Sequence, residues 1–82
     1  MAAFNGACEI RGAGINSNDG LVHFDLKAKD GAFDWNPFTA PPAQAREMLA
    51  IAIAAITANK SVVVQTTDTT PWAAVWWFDI AK

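Results

Sequence analysis

Alternation with a period of two runs through most of this chain. Between Asn5 and Ile15, Cys8 and Ile10 alternate with Glu9 and Arg11, the pattern of a half-buried strand. Gly12 and Gly14 interrupt it, as glycines do at a bulge or a barrel bend. Asn16-Ser17-Asn18-Asp19-Gly20 is a turn cluster that closes on Asp-Gly, a strong hairpin signal. The next strand runs from about Leu21 to Ala28, with Val22, Phe24 and Leu26 on one face and His23, Asp25 and Lys27 on the other. Asp30-Gly31 predicts a second hairpin turn. Ala32 to Phe38 follows as a third strand, with Phe33 and Trp35 on one face.

The period then changes. Pro37 ends the third strand, and Pro41-Pro42 sit where the first turn of a helix tolerates proline. Ala43 to Ala58 is rich in Ala, Leu and Met and lacks Gly and Pro, which predicts a helix capped by Thr39 and stopped at Asn59. At 100° per residue, Ala45, Leu49, Ala52, Ile53 and Ile56 fall on one stripe, expected to face the sheet. Ile51, Ala54 and Ala58 fall opposite, so the helix is apolar nearly all round, as helices are when covered on more than one side. Ser61 to Thr67 reads as a fourth strand led by Val62-Val63-Val64, and Asp68 to Pro71 as a loop. Trp72 to Ala81 reads as a last strand. Trp72, Ala74, Trp76, Phe78 and Ile80 are expected on one face, and Ala73, Val75, Trp77 and Ala81 on the other. A solvated antiparallel strand alternates apolar with polar; this one is apolar on both faces, broken only by Asp79.

Three strands, a helix and two strands define the expected fold class: mainly β with one α-helix, a five-stranded Greek-key barrel of the OB type over residues 1–82 as a single domain. Ala45-Arg46-Glu47-Met48-Leu49-Ala50-Ile51-Ala52, running on to Asn59-Lys60-Ser61-Val62-Val63-Val64, resembles a pattern of small bacterial OB-fold proteins. These include the B subunits of pentameric toxins of the subtilase-cytotoxin type. The shared feature is an Ala-rich helix ending in a short basic turn before a valine strand. The resemblance covers residues 7–80 in topology and residues 45–64 in local pattern. It implies assembly into a homo-oligomeric ring and recognition of glycans. Those relatives often pair a cysteine near the start of the first strand with one near the C-terminus. Cys8 takes the first position here, and the last strand holds no second cysteine.

Composition sharpens this picture. The chain has 82 residues, 52 % of them hydrophobic and only 17 % charged, against about 25 % charged in an ordinary domain. Seventeen alanines account for part of that. Leu, Ile, Val and Phe still make up 19 of the 82 residues, enough for a folded core. A small domain is mostly surface, so the charge deficit predicts that a partner, another copy of the chain first of all, covers some of it. The net charge of −2 and pI near 5 disfavour a nucleic-acid partner, which calls for a basic face. No stretch reaches the roughly 20 apolar residues of a membrane span. Met1-Ala2-Ala3-Phe4 does not open a signal peptide. The expected location is secreted or periplasmic if a leader has been removed, and cytoplasmic otherwise. One cysteine and one histidine predict no internal disulfide, no metal centre and no cofactor.

Candidate sites follow from chemistry. Gly12-Ala13-Gly14 lacks the third glycine and the following helix of a phosphate loop. Asn16, Asn18 and Asp19 offer oxygens but not the remaining ligands of a calcium hand. His23 has no acid or nucleophile beside it in its strand, and Asp25 and Asp34 carry no motif that makes them a glycosidase pair, so no catalytic residue is expected and the chain is not read as an enzyme. Asn59-Lys60-Ser61 matches a glycosylation sequon. Four tryptophans without a tyrosine are the strongest lead, because an indole suits a half-exposed position against a ligand. On an OB barrel the ligand face is formed by strands two and three with the loops between strands one and two and strands four and five. That brings together Trp35, Asn16, Asn18, Asp19, Asp68, Thr69 and Trp72 as ligand-binding candidates, a platform suited to sugar rings and also able to stack nucleic-acid bases. Ile51, Ala54, Ala58 and Trp77 are the expected oligomer contacts. The alternative to a glycan-binding module is a purely structural module that meets itself or a partner protein.

Overall fold

Strand β1 (Phe4–Ile15) is 12 residues long, and that length closes the sheet. Its first half, Phe4 to Cys8, pairs antiparallel with β4 (Val62–Thr66). Its second half, Cys8 to Ile15, pairs antiparallel with β2 (Val22–Ala28). Cys8 belongs to both ladders, opposite Val62 on one side and Ala28 on the other. Strand β3 (Asn36–Thr39) pairs with β2, and β5 (Ala73–Ile80) with β4. A short parallel pairing of β3 with β5, Phe38 opposite Ala73 and Thr39 opposite Ala74, completes the circuit. The strand order is β1-β2-β3-β5-β4 in a closed barrel, with α1 (Ala45–Thr57) between β3 and β4. The chain is therefore mainly β with one helix, an OB-like barrel in the expected order. These statements rest on a computed structural model that describes residues 3–15 and 20–81.

The core is aromatic and aliphatic in the way the alternation predicts. On β2, Val22, Phe24, Leu26 and Ala28 point inward, while His23, Asp25 and Lys27 point outward. Phe24 stacks on Phe78 with ring centres 4.7 Å apart, and Phe33 lies 5.0 Å from both Phe4 and Phe38. Thr66 is the buried polar residue among them, and its hydroxyl donates to the Asp68 carbonyl at 2.6 Å. The glycine-marked irregularity in β1 is real: the register slips between Ile10 and Gly12, leaving Arg11 as the extra, exposed residue.

Several expectations need correction. The third strand is shorter than its pattern suggested. Ala32 to Trp35 is irregular, because the Asp30 side chain turns back onto the Ala32 amide and Gly31 (φ 86°) completes a wide connection. The last strand does not keep a strict period. Gln65 pairs with Trp77 but Thr66 with Val75, so Trp76 is a bulged residue. Val75 and Phe78 turn inward, whereas Trp76 and Trp77 both turn out, 55 % and 51 % exposed. An inserted residue shifts the period by one, so the faces assigned by alternation cannot hold across it.

The helix is also turned relative to its expected stripe. Met48, Ala52 and Ala55 are buried, Leu49 and Ile51 pack at the margin of the core, and Ile53 and Ile56 are exposed. Ile51, expected to face a neighbouring subunit, is half-buried and packs at the edge of its own core. The reason is space: α1 lies against β1, β2 and β5, and alanines at 52 and 55 let the helix axis come close where isoleucines would hold it off. Thr39 does not cap the helix; it lies in β3, and the helix is reached through Pro41 and a 3-10 turn at Pro42–Gln44. Asn59 does end the helix. It adopts φ 56°, and the Lys60 amide donates back to the Ala55 carbonyl at 2.8 Å, a closure that asparagine tolerates well. Among the described residues no helix is long and apolar enough to cross a membrane.

Cys8 is fully buried, and burial, followed by the charge of Asp30, pushes its thiol up from 9.0 to about 12. The unfolded chain ionises near 9.0 while the native chain keeps its proton. Stability therefore stays whole below that value and falls as pH rises between the two, by up to about 1.4 kcal/mol per pH unit. Urea denaturation from about pH 8 to about pH 11 checks this: the native chain should lose stability relative to Cys8→Ala across the upper part of the range. Parallel profiles would contradict it.

Candidate functional site

The outer faces of β2 and β3 collect the polar and aromatic groups. His23 and Asp25 are consecutive outward positions on β2, roughly 7 Å apart along a strand. Each has a tryptophan beside it. The Trp72 ring meets the His23 imidazole edge-on at 6.2 Å. Asp25 holds the Arg11 side chain in an ion pair, and the Arg11 guanidinium lies over the Trp35 ring, 4.3 Å from its centre. The imidazole lies over Gly14, where a Cβ would make only an ordinary contact, 3.4 Å from His23 Cε1. His23 Nδ1 is shut off from solvent and has no hydrogen-bond partner among the described residues.

The loop between β4 and β5 is fastened to β3 by its backbone. Asn36 Nδ2 donates to the Thr69 carbonyl at 2.9 Å, and the Trp72 amide donates to the Pro37 carbonyl at 2.7 Å. The Thr39 hydroxyl makes a longer bond, 3.4 Å, to the Trp72 carbonyl. Within the loop, Asp68 Oδ1 accepts from the Thr69 amide at 2.7 Å. Asp68 and Thr69 are thus half-buried and committed to shaping the loop, with the Asp68 carboxylate turned to its own backbone.

Trp72 is the unusual member. Its backbone sits at φ 68°, a left-handed conformation that bulky side chains rarely adopt, and its indole is 58 % exposed. Such a conformation costs about 1–3 kcal/mol and persists only where surrounding bonds impose it. The bonds to Pro37 and Thr39 do so here.

Of the seven ligand candidates, the structure brings Trp35 and Trp72 to one face. Asp68 and Thr69 support that face rather than forming it. Asn16, Asn18 and Asp19 lie outside the described residues. Trp35 is a less open platform than expected, because Arg11 covers it. Among the expected oligomer contacts, Ala54, Ala58 and Trp77 are exposed and Ile51 is not. Arg11 and His23 complete the face. The signal for Arg11 is its place beside Gly12, where a bulge turns a side chain across the neighbouring strand. No group of three or more His, Cys, Asp or Glu lies together among the described residues. Compared with known proteins, the chain matches no family model, no curated protein and no solved structure.

The strain at Trp72 can be measured. Glycine accepts a positive φ that alanine resists, so Trp72→Gly should be more stable than Trp72→Ala by about 1 kcal/mol in urea denaturation. Equal stabilities would show that the loop carries no such strain.

Proposed function

We propose that this chain is a non-catalytic binding module that takes a glycan or another small polar ligand on the outer face of β2 and β3. The supporting observation is Trp72, an indole left in water on a strained backbone. Neither property favours folding, and a ligand ring laid against the indole would compensate both. The C–H face of a sugar stacks on such a ring, while its hydroxyls find donors and acceptors in Arg11, Asp25 and Thr39. Nucleic-acid bases stack on tryptophan too, but a chain of net charge −2 is poorly suited to a phosphate backbone. A glycan array with native protein and Trp72→Gly tests the proposal. Binding by the native chain that is lost in the variant and insensitive to salt supports it. An empty array, or binding that the variant keeps, overturns it. Oligonucleotide binding that weakens with salt would move the chain to the nucleic-acid class.

A second reading, as a module that assembles with itself, rests on different residues. Trp76 and Trp77 stand side by side and half-exposed on β5, and Ile53 is 53 % exposed on the helix. Adjacent exposed indoles on a charge-poor surface suit contact with another protein surface. Self-assembly is the form this takes in our proposal, with a ring as the toxin resemblance implies. Light scattering at micromolar concentration should then give a mass well above the 8.8 kDa of one chain, and Trp77→Glu should lower it by placing a charge in an apolar contact. A mass of 8.8 kDa alone overturns this.

A further inference from the structure

At the far end of β1 and β2 from Trp72, the surface is notched. Cys8 is the point where β1 passes from β4 to β2. The chain leaving β2 at Lys29 and the chain entering β4 at Lys60 therefore come to either side of β1. Two adjoining clefts, of about 180 and 430 Å³, are both lined by Lys29, Lys60 and Ser61. Ala7 lines the larger one, and its small side chain leaves the space between the lysines open.

The frame of the notch is fixed, and among the described residues the side chains of Lys29, Lys60 and Ser61 make no hydrogen bond. The Lys29 amide donates to the Ala7 carbonyl at 3.0 Å, the Lys60 amide to Ala55 at 2.8 Å, and the Ala81 amide to the Ser61 carbonyl at 2.8 Å. Among the described residues neither lysine is in an ion pair; the pair present is Arg11 with Asp25, elsewhere on the barrel. Glu9 borders the smaller cleft, and Lys27 stands directly across from it in the β1–β2 ladder. Two cations thus line one cleft from separate segments, with a hydroxyl-bearing residue at their side.

We propose that this notch binds a tetrahedral dianion, a phosphate or sulfate group, free or as a monoester. Two lysines act as separate point charges that suit oxygens diverging from a tetrahedral centre, whereas a planar carboxylate is matched by the fork of an arginine, which the notch lacks. The bound group screens the repulsion between the two ammonium groups and accepts from Ser61. This site is independent of the tryptophan face, and either can be lost without the other.

Amide NMR titration of the native chain at constant ionic strength tests it, with inorganic phosphate, sulfate, glucose 6-phosphate and acetate as probes. Saturable shifts centred on Lys29, Lys60 and Ser61 are expected with phosphate or sulfate. Glucose 6-phosphate binding more tightly than inorganic phosphate would identify the monoester as the form taken. Lys29→Ala and Lys60→Ala alter exposed side chains, so both should remain folded, and each should weaken binding about tenfold or more. Lys27→Ala should leave it unchanged. Shifts that do not saturate, equal binding of acetate, or affinity retained in both lysine variants would each overturn the proposal.

Discussion

Barrel closure depends on one residue position. At Cys8 a single strand must satisfy two neighbours, donating and accepting toward β4 on one side and β2 on the other. Strand β1 passes from one partner to the other along its length, and it is built of small residues there: Gly6, Ala7 and Cys8 at the switch, Gly12, Ala13 and Gly14 beyond the bulge. Everything else follows from the circuit this closes. The five strands enclose the phenylalanines, the helix packs over the remaining opening with its alanines, and the two ends of the barrel acquire different surfaces.

Much of this was legible in the chain. On β2 alternation places every side chain correctly, because the extra residue of the β1–β2 ladder falls on β1 and leaves the period of β2 intact. Gly12 announced its bulge. The bulge at Trp76 carried no such mark: no glycine lies near it, and its cause is the geometry of pairing with β4, which is not local to the sequence. The helix face was misread for a related reason. Hydrophobicity ranks Ile53 and Ile56 above Ala52 and Ala55, but the close approach of helix to barrel selects small side chains over greasy ones. A helix apolar on all sides offers no polar edge from which to fix its rotation.

The candidate face was half legible. Trp35 and Trp72 could be placed by topology alone, since strand order dictates which loops neighbour β2 and β3. What stayed hidden were the couplings between side chains: Arg11 laid over Trp35, and the Trp72 backbone held in an uncommon conformation by Pro37 and Thr39. These depend on relative heights along strands and on a turn conformation that tryptophan does not itself prefer. The notch between Lys29 and Lys60 was invisible for the same kind of reason. Thirty-one positions separate the two lysines in sequence, and only the passage of β1 between two partners brings their segments together.

The sealed thiol has a consequence for chemistry rather than architecture. Thiol–disulfide exchange proceeds through the thiolate, and the folded chain neither exposes Cys8 nor lets it ionise. Oxidants, glutathione and metal ions therefore meet a molecule with no accessible sulfur nucleophile at Cys8. The native barrel is redox-silent at this position, and it keeps the same covalent state on either side of a membrane that separates oxidising from reducing conditions. Only a chain that has opened the β1 seam regains a cysteine able to react.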